Sequence, residues 1–472
     1  MNANDRLLQI GMLLQAQRDA HRLAPFPEWQ ARRDRLQRLR KMLVDNESAI
    51  EDAIDADFGG RPRIETQVAE VFPSLAEIRA ALRGGRRWMK PRSAWVSKWF
   101  LPARAWIMPR PVGVVGIIVP WNYPLYLTIG PLAGAIAAGN RALIKLSEYT
   151  PAFSALLQRL VAEAFAAEEI AVVTGGPEVA EAFAALPFDH LLFTGSGSVG
   201  RKVMAAASAN LTPITLELGG KSPAVIAPGY SIERAATRIM AGKLLNAGQT
   251  CIAPDYVLVP RPELTRFVDR ARAQAQKMYP AGLADPDYCS IVDTRQYERL
   301  VGYLDDATAG GVQSVELFHG PARDDAAHRL APVILVDPPH SLVAMRHEIF
   351  GPILPVLPYD RPEDAVAFVN AMAHPLALYW FDDDRRRADW ALKQTHVGGV
   401  CINETLLHVT QEELPFGGIG PSGMGHYHGK WGFDTMSKLT PVFRQSRLSG
   451  VGLFMPPYRP IARRLLALMK RF

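Results

Sequence analysis

Cysteine is scarce, with three residues in 472, at Cys251, Cys289 and Cys401. They are too few and too widely spaced for a disulfide framework or a C-x-x-C metal site, which fits a reducing, cytoplasmic setting. Long apolar runs are missing too. Nothing approaches the roughly 18 consecutive apolar residues of a spanning helix. Residues 1–22 interrupt their apolar positions with Asp5, Arg6, Arg18 and Asp19, so they offer no signal-peptide core. The formal net charge is only +6, and Lys and Arg are scattered among Asp and Glu over many segments, a mild bias and not a nucleic-acid footprint. Internal repeats and low-complexity tracts are absent.

What is present is an ordinary globular make-up, 48% hydrophobic and 21% charged, in a chain long enough for roughly three domains or two large ones. Residues 29–57 read as helix, with Leu36, Leu39, Leu43, Ile50 and Ile54 at three- and four-residue multiples. A second helical region follows over 63–87, then a Pro-, Trp- and Arg-rich arm over 90–111. From 112 the texture changes. Short apolar runs at 114–119, 142–145, 171–173, 190–193 and 214–216 alternate with helical segments at 125–138, 151–167, 178–186 and 199–209. That alternation predicts an α/β fold whose parallel sheet is covered on both faces. A second alternating block runs over 223–403, with strands at 256–259, 333–336, 376–381 and 399–402. Boundaries fall near Glu217 and Glu404.

Ligands of such sheets bind beyond the carboxyl ends of the strands, so four loops matter most. Asn122, in Pro120-Trp-Asn-Tyr-Pro124, could donate its amide to a developing oxyanion, although the loop alone favours a turn residue bonded to its own backbone. Lys145 and Glu148, at a strand end, suit the two hydroxyls of a ribose or form a solvated ion pair. Gly195-Ser-Gly-Ser-Val-Gly200 matches G-x-G-x-x-G and would turn helix N–H groups toward a pyrophosphate. The next acid, Glu217, stands where that fingerprint places its ribose ligand. It is followed by Leu-Gly-Gly-Lys-Ser-Pro223, however, a glycine turn leading into the second block, so Glu217 is assigned as a base and the ribose is left to Lys145 and Glu148. Cys251 lies in Asn246-Ala-Gly-Gln-Thr-Cys-Ile-Ala-Pro-Asp-Tyr256, on a turn between helix and strand. That stretch alone balances a nucleophile against a small buried hydrophobe.

Taken together, Pro120-Trp-Asn-Tyr-Pro124, Glu217-Leu-Gly-Gly-Lys221, Gly248-Gln-Thr-Cys251, Glu348-Ile-Phe-Gly-Pro352 and Pro415-Phe-Gly-Gly418 resemble motifs of the aldehyde dehydrogenase superfamily, in that family's order. Asn122-Tyr-Pro-Leu125 and Cys251-Ile-Ala-Pro-Asp-Tyr256 resemble its class-3 branch, and Phe188-Asp-His-Leu-Leu-Phe-Thr194 its bacterial coniferyl aldehyde dehydrogenases. The resemblance implies a Rossmann-type NAD-binding domain over 1–93 and 115–217 and an α/β catalytic domain over 218–403. It also implies a bridging β-element over 94–114 and 404–445 that joins a homodimer. Cys251 would attack an aromatic or longer apolar aldehyde, Asn122 and the Cys251 N–H would hold the oxyanion, and Glu217 would activate the hydrolytic water. Lys145 and Glu148 would hold the adenosine ribose and Glu348 the nicotinamide ribose, with Phe350 packed on the nicotinamide. Leu146 and Gly197 depart from the proline and threonine of many relatives. Glu148 would repel a 2′-phosphate, which favours NAD, with NADP still admitted.

Cys289 and Cys401 have no base or metal partner in sequence and read as packing residues. His426 and His428 lack further ligands, so no metal is expected. Phe416 either lines the substrate tunnel or packs its loop. The tail, 446–472, ends in a basic amphipathic segment with Ile461, Leu465, Leu468, Met469 and Phe472 on one face. It could lie on an anionic membrane, but its shortness favours packing on its own dimer.

Overall fold

Five apolar runs, Val114–Ile118, Arg141–Lys145, Ile170–Val173, His190–Thr194 and Ile214–Glu217, lie side by side in the computed structural model, which describes residues 3–471. They are parallel. The first four are buried along their whole length, because crossover helices cover both faces. Val114–Ile118 sits between Arg141–Lys145 and His190–Thr194. The strand order therefore reverses at its edge, and the loops after residues 118 and 194 diverge around a crevice.

The second sheet has seven strands, in the order Gln313–Glu316, Val333–Val336, Ile353–Tyr359, Tyr256–Pro260, Pro223–Ile226, Ala377–Phe381 and Gly399–Ile402. All neighbours are parallel except the first pair. Three of these strands are not visible as strands in the sequence. Ile353–Tyr359 carries Pro355 and Pro358, which normally mark an edge or a non-strand. Here it is central, paired on both sides.

A third, antiparallel sheet places Arg104–Pro111 between Arg92–Ala94 and Ser437–Arg444. Other parts of the segments expected to bridge, 94–114 and 404–445, pack on the first layer. Val114 starts the central strand of the first sheet, and Gly423–Met424 pairs with Leu216 and Glu217 as its sixth, antiparallel strand. The helix Gly429–Thr435 packs on Phe72–Trp88 and Tyr126–Ala138. The single helix expected over 29–57 is two, Trp29–Asp45 and Glu47–Phe58, broken at Asn46.

Tyr126–Ala138 is buried on every side, as expected of a helix apolar all round. Its ends are held electrostatically. The Glu70 carboxylate accepts from the N–H groups of Leu125 (2.7 Å) and Tyr126 (3.2 Å) at the N-terminus. Arg32 donates to the carbonyls of Ala137 (3.0 Å) and Ala138 (2.7 Å) at the other end. Each charge sits where the helix dipole and the orphan backbone groups favour it. The loop carrying Asn122 is thereby fixed to the sheet.

Candidate active site

The approach to Cys251 is built from unusual backbone. Asn246, Ala247 and Gly248 have φ of 53°, 49° and 78°, three successive left-handed residues. Two of the three carry a Cβ, so strain is held here and must be balanced by the surroundings. At Gly248 a Cβ would also run into the Gly351 carbonyl. The balancing bonds come from Gln249. Its Nε2 donates to the carbonyls of Asn246 and Ser290 (both 3.0 Å), and its Oε1 accepts from the Val292 N–H (3.0 Å).

The same knot holds Asn122. Its Nδ2 donates to the Gln249 carbonyl (3.2 Å), and its own carbonyl accepts from Arg61 Nη1 and Asn246 Nδ2 (both 3.1 Å). Tyr123 and Thr250 join the two loops through their hydroxyls (2.6 Å). Arg61 is fully buried beside Glu70 (2.8 Å) and Glu65 (3.8 Å), with its guanidinium over the rings of Phe58 and Tyr123. Glu65 in turn accepts from the Asn246 N–H (2.8 Å). One buried cation therefore supports both the amide loop and the cysteine loop.

Glu217 ends its strand and is buried, and neither carboxyl oxygen has a hydrogen-bond partner among the described residues. Burial alone raises its pKa well above the ordinary carboxylate value. Glu348 is held from both sides. The Lys221 ammonium bonds the His347 carbonyl (3.1 Å) and pairs with Asp255, which accepts from the Ile349 N–H (2.9 Å). Gly219 lets the Glu348 carboxylate approach where a side chain would collide with it. Burial, followed by Asp255, pushes Glu348 up to about 8.

Cys251 is half-buried. Burial, then Glu348 and Glu217, pushes its thiol up to about 12, while the N–H groups of Cys251 and Ile252 pull toward the anion.

One cavity of about 430 Å³ brings these groups together. Asn122, Glu217, Cys251, Glu348, Phe350, Gly195 and Ser196 all line it. Ser196 caps the helix Gly197–Ser208, accepting from Val199 N. Phe350, at φ 52°, meets Trp121 edge-on at 5.3 Å. Gly200 lies one turn into the helix, and Lys145 and Glu148 lie together at a strand end (3.4 Å); none of these three forms part of that wall. Burial lowers the Lys145 pKa against the raising effect of Glu148.

Several contributors escaped the sequence reading. Arg299, on the cavity wall, donates to the carbonyls of Ile349 (2.8 Å) and Phe350 (3.4 Å). It sits on a polar helix, Thr294–Ala309, with no local signal to single it out. Arg61 and Glu65 do stand at helical i, i+4 spacing, a signal that reads equally as a surface pair. Cys289 donates to Asn246 Oδ1 (3.3 Å), tightening the cysteine loop. Cys401 has a base beside it after all, His408 Nδ1 at 3.2 Å. Phe416 stacks on His428 at 5.3 Å. Among the described residues no cluster of His, Cys, Asp or Glu is arranged to hold a metal ion.

A dinucleotide-type α/β layer facing a second α/β layer across a cleft with a thiol, an amide and a buried carboxyl is the build of an aldehyde dehydrogenase. The chain belongs to the aldehyde dehydrogenase family, whose sequence model matches residues 11–442, and it is an enzyme that oxidises aldehydes to acids with NAD(P) as cofactor. It is 49% identical over 450 residues to the probable coniferyl aldehyde dehydrogenase of Pseudomonas aeruginosa, covering 95% of this chain and 94% of that one. The coniferyl aldehyde dehydrogenase of a Pseudomonas species is 41% identical, with 98% and 96% covered. The substrate-bound structure of Staphylococcus aureus AldH superposes with a TM-score of 0.93 at 36% identity, over 99% of this chain and 100% of that one. A Mycobacterium tuberculosis aldehyde dehydrogenase complexed with NAD+ gives 0.83 at 26%, over 93% and 90%.

Replacing Arg61 with leucine strands the Glu70 and Glu65 carboxyls without a cation and removes a donor to Asn122. Stability should fall by about 3–5 kcal/mol, read as a lower thermal midpoint, and NADH formation should drop even well below that midpoint. A wild-type midpoint would show that Arg61 does not hold the knot.

Proposed function

We propose that Cys251, Asn122 and Glu217 carry the reaction, and that the substrate is an aromatic aldehyde of the coniferyl type or a longer apolar one. The observation that carries this is the buried, unpartnered carboxyl of Glu217 sharing one cavity with the Cys251 thiol and the Asn122 amide. Once its proton has passed to solvent, the Cys251 sulfur forms a bond to the aldehyde carbon, and the carbonyl oxygen becomes an oxyanion. Asn122 Nδ2 has one N–H committed to Gln249, which leaves a second to donate to that oxygen together with the Cys251 N–H. The nicotinamide ring, when bound, supplies the acceptor for the hydride that leaves this tetrahedral carbon. Glu217, as its carboxylate, then takes a proton from water, the hydroxide adds to the thioester, the carbon–sulfur bond breaks, and that proton passes to the Cys251 sulfur as the carboxylic acid departs.

The site's free valences support a dinucleotide. Glu348 Oε1 is buried without a partner, which suits a ribose hydroxyl. The start of the helix Gly197–Ser208 turns backbone N–H groups toward a pyrophosphate. Gly200 lets that helix lie close to its strand, and Lys145 with Glu148 suits the second ribose. The Glu148 carboxylate favours NAD over NADP, because a 2′-phosphate would meet a like charge. Trp121, Phe350 and Tyr303 on the cavity wall suit an apolar or aromatic substrate, and the names of the coniferyl aldehyde dehydrogenases quoted above point the same way. A homodimer is supported by Ser437–Arg444, an eight-residue strand on the edge of its sheet, since an open edge is a template for pairing. Three free thiols suit a reducing cytoplasm.

Two outcomes test this reading. Cys251→Ala should abolish NADH formation with every aldehyde of a panel, while the unaltered enzyme should prefer coniferyl or other aromatic aldehydes to acetaldehyde in kcat/KM; a preference for acetaldehyde would remove the substrate assignment. With both Glu217 and Cys251 raised in pKa, their active, deprotonated forms grow as pH rises. Turnover should therefore increase from about pH 6 to about pH 9, and a profile that falls over this range would contradict the assigned base.

A further inference from the structure

The mild positive bias of the whole chain is not evenly spread. The tail, residues 446–472, holds six Lys and Arg and no Asp or Glu. With those six removed from the chain's 53 basic residues, 47 remain against 47 acidic ones. The body is thus close to neutral and the tail carries the charge. Within it, Pro460–Met469 is a helix, and the element it packs on most is the short turn Val451–Phe454.

At about 100° per residue, Ile461, Ala462, Leu465, Leu466, Leu468 and Met469 share one arc of roughly 160°. Arg463, Arg464, Lys470 and Arg471 fall on the opposite side. Only Ala462 is buried. Ile461, Leu466 and Leu468 are 50%, 43% and 48% exposed, and Met455 and Tyr458, just before the helix, are exposed as well. None of the four cations pairs with a carboxylate among the described residues. Phe472, read from the sequence as part of the apolar face, lies outside the described residues.

We propose that this tail docks the enzyme on an anionic lipid surface. The apolar arc would lie at the boundary of headgroups and acyl chains, with the basic side chains reaching up to the lipid phosphates. A protein partner fits less well, since interface cores are depleted in charge and the near-neutral body of a second copy offers little attraction to a tail of six cations. The helix is too short to span a membrane, and no helix among the described residues is long and apolar enough to do so. This inference stands apart from the identity of the aldehyde, although docking would bring the active site to aldehydes dissolved in the lipid.

Co-sedimentation of the full-length protein tests it, using vesicles of equal parts phosphatidylglycerol and phosphatidylcholine against phosphatidylcholine alone. The protein should pellet with the anionic vesicles, stay in solution with the neutral ones, and be released by high salt. The combined variant Arg463→Glu, Arg464→Glu, Lys470→Glu, Arg471→Glu and, separately, Leu466→Gln with Leu468→Gln should each lower the bound fraction at least about tenfold. NADH formation with a water-soluble aldehyde verifies that both variants are folded. Binding unchanged in either variant, equal binding to neutral vesicles, or no vesicle binding by the unaltered protein would each overturn the proposal. If the unaltered protein does not bind vesicles and the variants form a smaller species by light scattering, the helix belongs to an interface between copies.

Discussion

A carboxyl group buried without a partner is the constraint around which the site is organised. Taking a polar group out of water with no hydrogen bond in return costs on the order of 1–3 kcal/mol by protein data, and Glu217 bears this at both oxygens. It is tolerated because its backbone is locked. The Glu217 carbonyl accepts from Gly195 N (3.0 Å), Leu218 N donates to the Ser422 carbonyl (3.1 Å), and Gly423 stands opposite Glu217 across the antiparallel pair. The side chain is held at the cleft by its strand and not by any bond of its own, which leaves the carboxyl available to water.

The surrounding charges are arranged so that none of them neutralises Glu217. Arg61 is taken by Glu70 and Glu65, and Lys221 by Asp255 and two backbone carbonyls. Each pair is buried, where a lost partner would be costly. Each also fixes a different loop: Arg61 those of Asn122 and Asn246, Lys221 that of Glu348. Both cations are thus spent on geometry. The thiol itself is left in a site that disfavours its anion except through the adjacent backbone N–H groups, so thiolate forms at the expense of burial rather than by pairing with a basic side chain.

Much of this was legible in the sequence because the signals are local. Short apolar runs of matching length, separated by helices, gave the first sheet, and motif order pointed to Asn122, Glu217, Cys251 and Glu348 on one cleft. What stayed hidden depends on contacts between distant residues. Arg61 meets Asn122 only after the chain has passed through the strand Val114–Ile118, and Lys221 finds Asp255 from another loop. Cys401 and His408 are seven residues apart across an irregular turn that no periodicity describes. Ile353–Tyr359 was obscured by its two prolines, because tertiary placement overrode a rule about local hydrogen bonding. Lys145 and Glu148 were correctly read as neighbours, yet local spacing could not show that they stand off the wall of the main cavity.

If the carboxyl of Glu217 is kept unpaired in order to activate water, removing only its acidity should separate the two halves of the reaction. The direct measurement is peptide mass spectrometry on Glu217→Gln enzyme quenched after mixing with coniferyl aldehyde and NAD. The account predicts that the acyl group remains on the peptide containing Cys251 after about one equivalent of NADH has formed per site. An unmodified Cys251 in enzyme turning over at the wild-type rate would contradict it.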